Sequence, residues 1–100
     1  RKHTSAGPAN ITHSLDADIL CGAALETDLE TNFYFVHDCC MALSTDIDVM
    51  IERLRRSFHK VVTSPFIEDL INHWGLEGVE LPELGTLDIE QCPTAQYMFT

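Results

Sequence analysis

The sequence predicts an all-α fold, a small bundle of about four helices with an extended C-terminal segment packed on it. Three observations carry this expectation. Between Thr45 and Val62 the apolar residues Ile47, Met50, Ile51, Leu54, Phe58 and Val61 follow spacings of 3, 1, 3, 4 and 3, a continuous stripe on a helix. Leu29, Phe33, Val36, Cys40 and Leu43 repeat at 4, 3, 4 and 3. Helix start and stop residues then divide the chain into four such stretches with short connections.

Residues 1–13, RKHTSAGPANITH, are polar, carry Gly and Pro and show no period, which predicts a mobile arm ahead of one helical domain over 14–100. Ser14 has the chemistry of an N-cap, with Asp16 and Asp18 behind it where the helix dipole favours acids. Leu15, Ile19 and Ala23 give one face of a helix over about 14–25. Thr27-Asp28-Leu29-Glu30 is a capping-box pattern that restarts the chain as a helix over about 27–43. Phe35 and Cys39 widen its apolar surface, so burial on two sides is expected.

Ser44 and Thr45 offer caps for the central helix over about 45–62. Thr63-Ser64-Pro65 ends that helix and starts one over about 64–74, with Ser64 as the cap and Pro65 at the first helical position. Phe66, Leu70, Ile71 and Trp74 line one of its faces, and Gly75 is the stop. The last stretch, 76–100, is punctuated by Gly78, Pro82, Gly85 and Pro93 but keeps Leu76, Val79, Leu81, Leu84, Leu87 and Ile89. It is too broken for a long helix and too apolar for a disordered tail, so it is expected to lie extended across the bundle.

One hundred residues make one domain. No apolar run approaches the length of a membrane span. Sixteen acids against six bases give a formal charge of −10. Duplex binding is driven by cations that neutralise phosphates, so this balance argues against a nucleic-acid partner. It suits a protein partner, basic in character, or self-association through stripes wider than one core needs. Arg53, Arg56 and Lys60 form a cationic stripe opposite the apolar one and are the candidate binding surface, for an anion or an acidic partner.

Cys21, Cys39, Cys40 and Cys92 show no Cys-x-x-Cys spacing, so no metal site is expected, and an even count permits disulfides. Neighbouring Cys39 and Cys40 on a helix would not bridge each other, leaving each to pair with Cys21 or Cys92. Asn10-Ile11-Thr12 is a glycosylation acceptor triplet. The triplet, the even cysteine count and the missing initiator Met together favour secretion over the cytoplasm.

Phe35-Val36-His37-Asp38-Cys39-Cys40 resembles the active-site helix of secreted phospholipase A2. The resemblance implies a calcium-dependent lipid hydrolase, with His37 as the base that activates water and Asp38 as a calcium ligand. Upstream only Cys21-Gly22 stands where that family has a glycine-rich calcium loop, and no Asp-Cys pair follows residue 40. His59 is similarly placed to the histidine of phosphotransfer domains, without the Gly that follows it there. Arg53-Leu54-Arg55-Arg56-Ser57 has the pattern of a basophilic kinase site, and Asp69 stands one turn before His73. No nucleophile, base and orienting group are set together by spacing. The function expected from sequence is therefore a small acidic helical binding protein, or a subunit of an assembly, with no cofactor and no catalytic pocket; calcium enters only with the lipase alternative.

Overall fold

The computed structural model of the protein describes residues 2–26 and 32–98, with side chains from residue 6 onward. The order is α1 (Lys2–Leu25), β1 (Phe33–Val36), β2 (Cys39–Ala42), α2 (Ile47–Thr63) and α3 (Phe66–His73), then a short 3-10 helix at Ile89–Thr94. The all-α expectation is corrected here. Where a helix over 27–43 was expected, β1 and β2 form a two-stranded antiparallel sheet pairing Phe33 with Ala42, Tyr34 with Met41, Phe35 with Cys40 and Val36 with Cys39. Aromatic and β-branched side chains suit a pleated, half-buried surface, and Phe-Tyr-Phe-Val supplies four in a row. Burial alternates along both strands, with Phe33, Phe35, Cys40 and Ala42 turned inward. The capping-box residues Thr27–Glu30 lie outside the described residues.

Residues expected as an arm belong to α1, which begins at Lys2 and carries Pro8 within it. Ser14 does not cap a helix. Its hydroxyl donates to the Ile11 carbonyl at 2.7 Å, and Thr12 Oγ1 donates to Pro8 O at 3.1 Å. Both are local side-chain bonds that a helix interior tolerates.

α2 is the element the others pack on. Its stripe places Met50 and Leu54 in the core with Ala23 of α1, while Leu20, Phe33, Cys40 and Ala42 close around them. α1 crosses α2 at one polar point. Ser57 is 2% exposed and its hydroxyl donates to Ile19 O at 2.7 Å. Gly22 lies against that hydroxyl so closely that a methyl group there would meet it.

α2 starts without a side-chain cap; the Met50 amide donates to Asp46 O at 3.0 Å. Ser64, expected to cap the next helix, instead closes α2 by donating its hydroxyl to Val61 O at 2.7 Å. α3 ends at Gly75, whose φ of 62° lets Leu76 N reach back to Ile71 O at 3.1 Å. Beyond it, residues 76–88 run without regular structure to the 3-10 helix. That helix is fastened to α2 by Arg55 Nη1 donating to Pro93 O at 3.5 Å and by His59 Nε2 against Glu90 Oε1 at 3.3 Å.

Candidate functional site

His37 and Asp38 are the whole of the hairpin loop, because Val36 and Cys39 on either side are already paired. Two-residue hairpin loops need a positive φ at the first loop position in one of their common forms, usually met by Gly. Here His37 meets it with φ 55°, the only positive φ at a non-Gly position among the described residues. A side chain in the left-handed region costs about 1–2 kcal/mol, which the flanking strand pairs must hold in place. The consequence is positional. Asp38 stands exposed at the tip of a fixed turn, and the alternation of β2 follows directly from it.

Asp38 also lines an open cavity of about 380 Å³ together with Ile19 and Leu20 of α1, Cys39 and Cys40 of β2, and Ile47, Met50, Ile51 and Leu54 of α2. Its walls are apolar apart from the carboxylate and the thiols. Burial, and next the neighbouring Cys39 thiol, hold the Cys40 thiol above its usual range. His37 shares a second groove with Ala17, Cys21 and Phe35.

The remaining residues singled out from sequence are scattered. Arg53 lies over the Phe33 ring, 5.6 Å from its centroid. Arg56 is exposed and pairs with Glu52 at 2.6 Å and Glu26 at 3.4 Å. Lys60 is exposed. So Arg53 and Arg56, two of the three expected binding cations, already engage the chain's own groups. Ser57 is buried and its hydroxyl hydrogen-bonded, which removes the kinase pattern from reach. His59 faces Glu90. Among the described residues no ion pair joins Asp69 to His73, and no three His, Cys, Asp or Glu side chains gather as a metal site.

All four cysteines are free: Cys21 and Cys39 are exposed, Cys40 and Cys92 partly covered. Cys39 and Cys40 sit on a strand where a helix was expected, and their side chains alternate to opposite faces. Asn10 is exposed on α1.

Two features were not anticipated. The hairpin turn has no Asn-Gly or Asp-Gly to announce it, although the Phe33–Val36 run signals a strand. Arg55, absent from the expected cationic stripe, joins His59 in holding the C-terminal 3-10 helix.

Residues 1–79 match the family model for DNA-dependent RNA polymerase. The chain is 30% identical over 105 residues to the DNA-directed RNA polymerase 3, chloroplastic, of Nicotiana sylvestris, covering 99% of this chain and 11% of that protein. It is 28% identical over 118 residues to the human mitochondrial DNA-directed RNA polymerase, covering 100% of this chain and 10% of the relative. Against the DNA-directed RNA polymerase 2, chloroplastic/mitochondrial, of Arabidopsis thaliana it is 29% identical over 105 residues, covering 99% and 10%. No solved structure matches the chain.

The chain thus spans about a tenth of the length of these relatives. Four expectations are corrected by these matches. A free-standing acidic binding protein, defined by protein–protein interaction, gives way to a stretch of polymerase sequence. The phospholipase alternative falls with it, and His37-Asp38 forms a hairpin turn where that family has a helix. Exclusion of nucleic acid does not stand either, since the matching family is DNA-dependent RNA polymerase and the relatives are DNA-directed RNA polymerases. Secretion is set aside because the relatives are named for chloroplasts and mitochondria.

Proposed function

The chain belongs to the DNA-dependent RNA polymerase family, and from that premise we propose that its hairpin presents Asp38 as a metal-binding carboxylate in RNA synthesis on a DNA template. The observation that carries the reading is the exposed Asp38 at a two-residue turn fixed by the left-handed His37. Phosphoryl-transfer sites need a carboxylate held still and open to solvent on one side, and this turn supplies both.

Magnesium is commonly held by one or two carboxylates, with substrate phosphates and waters completing the octahedron. Asp38 fits as one of these, and among the described residues it belongs to no group of three or more His, Cys, Asp or Glu side chains that could hold an ion by themselves. The other ligands then come from outside the described residues and from the nucleotide. When bound, the ion offsets the negative charge that develops on the transferring phosphate.

The chain's own residues do the rest. The paired strands fix where the carboxylate stands, and Ile19, Met50 and Leu54 line the cavity beside it. His37 acts through its backbone, which shapes the turn. The relatives' names support an organellar place of action.

Asp38→Asn keeps the shape of the turn and removes the charge. In the full polymerase carrying these residues, RNA synthesis should fall by about 10²-fold or more, in the range seen when one electrostatic group is taken from a transition state. Template binding should be kept. Undiminished synthesis by the variant would sink the assignment.

A further inference from the structure

The accessible surface of the chain is 8302 Å², against about 5,700 Å² for a folded monomer of this mass. The radius of gyration is 16.1 Å, against about 13 Å for 100 packed residues. The surplus of roughly 2,600 Å² exceeds the ~800 Å² per partner of a standard interface. Large apolar side chains are part of the exposed surface: Trp74, Leu76, Val79, Leu81, Leu84 and Leu87 are all more than 40% exposed.

Part of this surface is shaped. Where α2 ends and α3 begins, Val62, Pro65 and Ile67 face Leu81 and Leu84 across a groove of about 290 Å³. A cavity of ~150 Å³ takes a benzene-sized group, so the groove has room for one or two large apolar side chains. Its edge is acidic. Glu68 lines it, and exposed Glu80 and Glu83 flank Leu81 and Pro82 in the chain. Residues 61–100 hold seven Asp and Glu and no Lys or Arg.

From the family reading, on which this rests, we infer that the groove seats an apolar ridge flanked by Lys or Arg, supplied by the polymerase's own chain outside residues 1–100. The apolar floor supplies burial and the acidic edge selects basic flanks. Polymeric phosphate is repelled by the same edge. The relatives' tenfold greater length provides the covering chain.

The test uses the full polymerase, treated with a carbodiimide that couples carboxylates directly to lysine amines and read by peptide mass spectrometry. Glu68, Glu80 or Glu83 should be joined to lysines outside residues 1–100, and Glu80→Gln with Glu83→Gln should remove most of those links. Leu84→Lys should raise amide hydrogen exchange over residues 76–88 by tenfold or more. If that variant fails to fold, the Gln pair still decides the matter. Free labelling of these carboxylates by a soluble amine, with no such links, overturns the inference. So do links found only between two copies, or protection that appears only once a DNA template is added. The links are read without RNA synthesis, so an error in the role of Asp38 leaves them unchanged.

Discussion

At the scale of single residues, His37 is the non-Gly residue with a positive φ among the described residues. Its φ of 55° is set by the hairpin, and the side chain it carries is incidental to the turn. Asn tolerates the left-handed region and Gly removes the steric cost altogether, whereas a β-branched residue suffers most. His37→Val in the full chain should therefore lower stability by about 1–2 kcal/mol, while His37→Asn stays within about 0.5 kcal/mol of the wild type. Denaturant titrations of the two variants would separate these values. Equal midpoints would show that the turn is not held in the left-handed form. Reading His37 as a catalytic base attends to its ring, but the structure uses its backbone. Cys40 differs from its neighbour for a related reason: alternation turns it inward, and burial lifts its thiol above the usual range.

At the scale of elements, the crossing of α1 on α2 is decided by three groups: Gly22, Ser57 and Ile19 O. Gly within a helix costs about 1 kcal/mol relative to Ala. Here the missing methyl makes room for a hydroxyl that donates to Ile19 O at 2.7 Å. Gly22→Ala should destabilise by about 1 kcal/mol, because displacing a buried hydrogen bond outweighs the gain in propensity. In a Ser57→Ala background the same change should become neutral or stabilising. The four midpoints of this double-mutant cycle give the coupling directly, and additive effects would remove the crossing as its cause. The cationic side of α2 shows the same logic. Arg56 reaches Glu52 and Glu26, and Arg55 reaches the C-terminal 3-10 helix, so the basic residues of α2 tie elements of this chain together.

At the scale of the molecule, the core is small. Ala23, Met50 and Leu54 are its buried apolar residues among those described, with partly covered neighbours around them. Such a core does not offset the conformational entropy of 100 residues. Residues 1–100 produced alone should bind an apolar dye such as ANS and unfold without a sharp thermal transition, the signature of loosely packed chains. A cooperative transition with no dye binding would show that the exposed Trp74, Leu84 and Leu87 surface is native to a free-standing fold.

What the sequence determined by itself is the local chemistry of α2 and of the chain breaks. The spacing of Met50 and Leu54 faces them to the core, and Gly75 ends α3, because both depend on contacts within a few residues. His37 and Asp38 were also visible as an adjacent pair, though on the wrong kind of backbone. Only the tertiary structure decided between helix and hairpin over residues 33–42. Leu29, Phe33, Val36, Cys40 and Leu43 satisfy a helical period, yet the chain buries Phe33, Phe35, Cys40 and Ala42 on the strand period. The choice follows from what lies beneath: α1 and α2 offer Ala23, Met50 and Leu54 to the inward side of a pleated ribbon. A strand places every second side chain on one face, so Phe35 joins Phe33 there and Val36 turns out to the surface. The Phe33–Val36 run carries a local strand signal, but the helical period competes with it, and the packed surface decides between them.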